Sequence, residues 1–216
     1  MNIEAARSQM LGQQVRAWEV LDSRVLGVLR GTPREVFVPE RYREIAFADI
    51  EIPLGHGQAM MTPQVEGRLL QALQISSIDE VLEIGTGSGY LSACLGKLGA
   101  SVTSIDIFPE FIEAADEKLA EQRIRNVTVR LADAATFENE DKYDVVAVTA
   151  SVPVLSDQLV QFLRPGGRMF IVVGRAPIME AQLVTVQPDG GRRVESLFET
   201  LLAPMLNWDI PELFEL

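Results

Sequence analysis

The chain has 216 residues and a mass of 23.8 kDa, enough for one α/β domain with a fully buried core. Its 19 lysines and arginines face 31 acids, a formal charge of −12, which argues against a broad nucleic-acid surface because that needs clustered cations. A single cysteine excludes an internal disulfide, and no apolar run reaches the ~18 residues of a membrane span.

With no signal-peptide pattern at its start, the chain is expected to be cytoplasmic, without membrane or nucleic-acid partners, as a monomer or weak dimer. The first 21 residues carry Ile3, Met10, Leu11, Trp18 and Leu21 at a roughly helical spacing. Asp22 or Ser23 caps a second short helix, which Gly31 and Pro33 end. Core packing explains this cap better than a membrane-surface helix, whose polar face would carry lysines.

The stretch TPREVFVPERYREIAFADIEIPLGHGQAMMTPQ, residues 32–64, is studded with prolines and glycines that forbid long regular elements. Its apolar content predicts a lid packed on the domain, a common arrangement for a functional loop. Residues 1–64 thus cover an α/β core over 65–216, in one domain. Pro63 starts the helix carrying Val65, Leu69, Leu70 and Leu73.

From residue 79 strands and helices alternate. Strands are predicted over 81–84, 102–105, 127–131, 145–148 and 169–173, with helices over 90–98, 110–121 and 156–163. The Pro165-Gly166-Gly167 turn precedes the last of these strands, and strands over 182–186 and 193–201 close the chain as a hairpin around Pro188-Asp189-Gly190-Gly191. Cys94 falls in the helix under the glycine turn and reads as a buried core thiol.

The stretch VLEIGTGSGYLSACL, residues 81–95, carries the chemistry. It reads as strand, glycine turn and helix, with Gly85, Gly87 and Gly89 able to take positive φ and to bring the backbone against a ligand. Free N–H groups at the helix start would favour polar or anionic groups. A dinucleotide fingerprint needs a third glycine where Tyr90 stands. The G-x-G-x-G spacing with Glu83 before it suits S-adenosylmethionine, which has no pyrophosphate but carries an ammonium. An NAD-dependent dehydrogenase is correspondingly disfavoured.

Two further acids follow two further strands. Asp106 lies 19 residues after Gly87, near the ~20-residue offset of a ribose-binding acid. Asp133 closes the third strand, where it could accept from an adenine amino group. Either acid alone could be a solvated loop residue, but three acids after successive strands point to one ligand edge.

These features resemble class I S-adenosylmethionine methyltransferases: a Rossmann-like, mostly parallel sheet with an antiparallel C-terminal hairpin. The segment with Arg34, Phe37-Val38-Pro39, Ala46, Asp49, Pro53, Gly55, Gly57-Gln58 and Pro63 is similar to the signature of protein-L-isoaspartate O-methyltransferases. So are Tyr143-Asp144 with Thr149-Ala150, Leu163 with Pro165-Gly166-Gly167, and Val173-Gly174. The match spans about residues 11 to 204. It implies a carboxyl O-methyltransferase acting on isoaspartyl residues of damaged proteins or peptides. It further implies cofactor contacts from Gln58, Ala59 and Met60, from Glu83, Gly85, Thr86, Gly87, Gly89 and Tyr90, and from Asp106, Ile107, Asp133 and Ala134. Tyr90 packs either on the ligand or on a neighbouring helix.

The chain departs from the family at one site position. The family usually reads G-Q-T-I-S-x-P, its serine being assigned to the active site, whereas Met61 stands in the serine's place and Thr62 follows it. A thioether donates no hydrogen bond. Met61 and Thr62 are therefore the candidate catalytic positions, and Met60 and Met61 are expected to line the pocket. His56 reads as a loop residue rather than a base. Two alternatives stay open: a different acceptor for the same cofactor, or a binding module without turnover.

Overall fold

The structure is a computed structural model that describes residues 2–138 and 141–208. Its N-terminal cap is less regular than the spacing predicts. Helix α1 (Ile3–Gln9) gives way to a π-helical turn over Met10–Val15 and a 3-10 turn over Arg16–Trp18. Glu19 takes a left-handed conformation there and ends the run. Leu21 consequently lies outside the helix and is exposed, and its N–H, with that of Asp22, donates to the Gln71 side chain. Asp22 rather than Ser23 caps α2 (Ser23–Gly31), accepting from the amides of Arg24 and Val25.

A one-turn helix α3 (Arg34–Phe37) and a 3-10 segment over Glu40–Ile45 lead into a small hairpin, β1 (Ile52–Gly55) with β2 (Gln58–Met60). Helix α4 (Pro63–Leu73) follows, its Pro63 in the first turn where a missing N–H costs nothing.

The main sheet has seven strands in the order β5-β4-β3-β6-β7-β8-β9. They are β3 (Glu80–Ile84), β4 (Ser101–Asp106), β5 (Val127–Leu131), β6 (Tyr143–Val152), β7 (Leu163–Arg175), β8 (Ile178–Val186) and β9 (Arg192–Glu199). The first five pair in parallel, and β8 and β9 add on antiparallel, as the sequence predicts. Helices α5 (Tyr90–Leu98) and α6 (Pro109–Glu121) connect β3 to β4 and β4 to β5. One apolar cluster packs α5, α4 and the N-terminal helices against one side of the sheet, and a second includes Leu82, Val146, Ile171 and Phe162.

The segment after β6 differs from the expectation of a helix over 156–163. Only α7 (Asp157–Val160) is helical. Phe162 and Leu163 are buried, and the Phe162 carbonyl accepts from the Tyr143 amide at 2.8 Å. Sheet pairing therefore takes the chain over before the helix can extend. Pro165-Gly166-Gly167 becomes a bulge within β7 instead of a turn before it, as the shifted β6–β7 register shows.

Strand order reverses between β3 and β6. After β3 the chain builds outward through β4 and β5, then returns to add β6 on the other side. Ligands of open α/β sheets bind at such a point, beyond the strands' C-terminal ends.

Candidate active site

A cavity opens at that reversal, with about 860 Å³ of free space including the solvent at its mouth. Its floor is the end of β3 and the glycine turn, from Glu83 through Gly85, Thr86 and Gly87 to Ser88. One wall carries Asp106, Ile107, Phe108 and Phe111; another carries Ala132, Asp133 and Ala134. The lid contributes Leu54, Gln58, Ala59, Met60 and Met61. The three predicted acids and the predicted lid thus share one cavity.

The glycine turn fits only without side chains. Gly85 has φ +102°, and a Cβ there would stand 2.1 Å from the Thr149 hydroxyl oxygen. That hydroxyl ties β6 to the turn, lying 3.0 Å from the Ile84 carbonyl and 2.8 Å from that of Gly85. Gly89 serves packing instead. It lies off the cavity, and a Cβ would come within 2.9 Å of Ala115 on α6.

The expectation of free amides at the helix start is met only in part, since five of them are taken up within the turn. The Gly85 and Thr86 amides donate to the Ile105 carbonyl, and Gly87 donates to Asp106 at 2.9 Å. Gly89 donates to the Thr86 carbonyl and Tyr90 to the Ser88 hydroxyl. The turn is braced by its own hydrogen bonds, and these five amides are not offered to an anion.

The acids present the opposite chemistry. Glu83 is fully buried, and one carboxyl oxygen accepts from both Ser92 and Ser104. The other oxygen, Oε1, has no hydrogen-bond partner among the described residues. Burial pushes the Glu83 carboxyl up to about 8, against the two serine bonds, with Asp106 and Glu66 adding to the rise. Burial also raises Asp106, opposed by amides from Gly87, Phe108 and Ile107. Asp133 accepts from the Ala135 amide at 2.9 Å and from the Asn207 side chain at 2.7 Å.

Tyr90 and Thr62 stand apart from the cavity. Tyr90 is buried, its ring edge-on to Phe37 and 4.9 Å from the Arg34 guanidinium carbon. It packs on protein, the second of the two predicted possibilities. Thr62 is the N-cap residue of α4, but its side chain makes no capping bond and its buried hydroxyl has no partner among the described residues. His56 sits at the tip of the β1–β2 hairpin, stacked on Phe108 with ring centroids 4.2 Å apart. Cys94 is fully buried, and burial lifts its thiol to about 12, which leaves it inert.

Several cavity residues escape sequence reasoning. Leu54, Phe108 and Phe111 read as ordinary core residues, and nothing periodic marks Pro204, Met205 and Leu206. Backbone bonds to Ser151 bring that last segment over the site: Ser151 donates to Ala203 and accepts from Met205. Thr149 was findable, because it directly follows the strand predicted over 145–148, beside the reversal point.

Comparison with known proteins places this geometry. The model of the family described as Protein-L-isoaspartate(D-aspartate) O-methyltransferase (PCMT) matches residues 5–207. The chain belongs to that family. It is 39% identical over 191 residues to the protein-L-isoaspartate O-methyltransferase of Myxococcus xanthus, covering 86% of this chain and 90% of that one. It is 37% identical over 169 residues to the enzyme of the same name from Methanoculleus marisnigri, covering 78% and 77%. A Plasmodium falciparum structure, of a candidate protein-L-isoaspartate O-methyltransferase in complex with S-adenosyl-L-homocysteine, superposes with TM-score 0.81 at 17% identity. It covers 95% of this chain and 98% of that one, and it supports the fold.

Proposed function

We propose that this chain transfers the methyl group of S-adenosylmethionine to the carboxylate of isoaspartyl residues in proteins or peptides. One observation carries the cofactor reading: five amides of the glycine turn and helix start are satisfied internally, while a buried Glu83 carboxyl oxygen in the same cavity lacks a donor among the described residues. Such a site is complementary to an ammonium, not to a pyrophosphate. Glu83 is placed to take the ammonium, Asp106 the ribose hydroxyls and Asp133 the adenine edge, with Leu54, Ile107, Phe108 and Phe111 as apolar walls. When bound, the cofactor supplies an electrophilic methyl on a sulfonium sulfur.

The protein's tasks are then alignment and exclusion of water. An acceptor carboxylate has an ordinary pKa near 3.9 and is already ionised at neutral pH, so no general base is required. Met60 and Met61, both nearly buried, close the lid side of the cavity with apolar surface. They strip water from an entering carboxylate and hold it against the methyl donor's end. The site's histidine-free, thiol-free lining is consistent with this chemistry.

The test is labelled methyl transfer to an isoaspartyl peptide beside its aspartyl twin, with a thermal-shift titration in parallel. The reading expects stabilisation by S-adenosylmethionine, none by NAD, and label on the isoaspartyl peptide alone. Stabilisation without label on either peptide would overturn the acceptor and keep the cofactor. A second reading, a different acceptor, is favoured by the Met61 thioether, which cannot donate the hydrogen bond a serine would.

A further inference from the structure

Met61 lies in a gap between two regular elements. The β1–β2 ladder ends at the Ile52–Met60 pair, and the first backbone bond of α4 uses the carbonyl of Thr62. Neither ladder nor helix therefore fixes the Met61 carbonyl. Its partner is a side chain: Arg34 donates to it through Nη2 at 2.6 Å.

Arg34 is 1% exposed, an uncommon place for a guanidinium. Its other donors reach two further segments. Nε donates to the Ala46 carbonyl at 2.8 Å, where the 3-10 segment ends, and Nη1 bonds the Glu66 carboxylate on the first turns of α4. The Tyr90 ring of α5 packs against it. One planar fork thus joins four pieces of chain, and both Met61 and Glu66 line the cavity. A lysine could match the charge but not the three fixed directions. A buried ion pair is weak evidence for stability as such, since apolar residues of similar volume often replace it without loss. The geometry has a different use.

We propose that Arg34 is the positioning residue of the acceptor end, holding the main chain at Met61 so that the acceptor carboxylate meets the methyl group in line. This rests on the reading of Met61 as the acceptor side of the site. Arg34 touches no reactant; it acts through the Met61 peptide. A displacement of ~1 Å at a reacting group can cost about a hundredfold in rate, so loss of this one tether is enough to matter.

The experiment uses two variants of the full chain. Arg34→Lys keeps a charge opposite Glu66 while losing the fork, and the double variant Arg34→Met/Glu66→Leu removes both charges so that no orphan is buried. For each, S-adenosylhomocysteine affinity is measured by calorimetry, and kcat and KM for an isoaspartyl peptide are measured at saturating cofactor. The proposal expects Arg34→Lys to keep S-adenosylhomocysteine affinity within about threefold of wild type, and both variants to lower kcat about tenfold or more. Folded variants with unchanged kcat would overturn it. Joint loss of cofactor binding and turnover in both variants would also overturn it, because the cluster would then serve the fold and not the acceptor. A wild-type chain silent on the isoaspartyl peptide would instead defeat the acceptor reading on which the inference stands.

Discussion

The two ends of the cavity are built on different principles. At the cofactor end, Glu83 lies on a central strand, Asp106 ends its neighbour, and the glycine turn between them is braced by five backbone amides. At the lid end, Met61 belongs to no ladder and is tied by one arginine side chain, while the hairpin tip rests on side-chain contacts of His56 with Phe108, Phe111 and Glu110. Backbone-built sites resist side-chain change because the sheet fixes their geometry. A site held by side chains can shift its chemistry by a few substitutions without disturbing the fold. Met61, where the sequence resemblance leads one to expect a serine, thus stands at the end of the cavity where a substitution costs the fold least.

The sharpest way to break this contrast is to add one methyl group to the backbone-built end. Gly85→Ala places a Cβ 2.1 Å from the Thr149 oxygen, at a φ of +102° that an L side chain rarely adopts. The turn must move, and its bonds to Ile105 go with it. Calorimetry should show cofactor affinity reduced more than about a hundredfold, since strain of 1–3 kcal/mol adds to the clash. Near-normal binding would show that the turn is not anchored as described.

At the lid end the effect should run the other way. Met61→Ser introduces a hydroxyl where the sequence resemblance leads one to expect it. A hydrogen bond to a charged group contributes about 1.5–3 kcal/mol, and a neutral one about 0.5–1.5. Isoaspartyl turnover should therefore rise roughly tenfold to a hundredfold, with cofactor affinity unchanged. Turnover left at background beside intact binding would move the second reading, a different acceptor, into the lead.

The same contrast explains what was legible in the sequence. Glycine spacing, strand-final acids and apolar runs are local signals, so the strands, their order of direction and the acids Glu83, Asp106 and Asp133 could be read off directly. Arg34 is also visible, but not its role, because a fork joining Ala46, Met61 and Glu66 exists only once three separate segments meet. Tyr90 follows the glycine turn directly, yet its ring packs on protein, against Arg34 and Phe37 of a segment distant in sequence. Leu206 reaches the cavity only through the pairing of its segment with Ser151.

Electrostatics offers a finer probe of the cofactor end. Glu83 rises from the ordinary 4.5 to about 8 and Glu66 to about 7, in both cases chiefly through burial. A folded-state pKa above the unfolded value means that the group's contribution is fully present below the unfolded pKa. It is lost as pH rises through the folded one. The unliganded chain should thus lose stability between about pH 5 and pH 8. Glu83→Gln removes its share of that slope, so the variant's Tm should gain on wild type by about 3 °C or more near pH 8.5 and change little near pH 5. Its affinity for S-adenosylmethionine should fall, because the ammonium loses a charged partner. A variant with the wild-type slope would show that Glu83 is not the buried acid responsible.

The smallest effect is expected at Thr62, next to the position where the largest gain in turnover is expected. Its hydroxyl is buried, lacks a hydrogen-bond partner among the described residues, does not cap α4 and lies off the cavity. Thr62→Val replaces it with a methyl group of nearly the same size and removes a polar atom that gains nothing where it lies. Replacing an unsatisfied buried hydroxyl by an apolar group is neutral or mildly stabilising, at most about 1 kcal/mol, or roughly 2–4 °C in Tm for a chain of this length. Isoaspartyl kcat and KM should stay within about twofold of wild type, because removing a group that contacts neither cofactor nor acceptor leaves transition-state binding intact. A tenfold fall in kcat with Tm unchanged would reverse this conclusion: the hydroxyl would then turn toward the acceptor during turnover, taking over the serine's task one residue later.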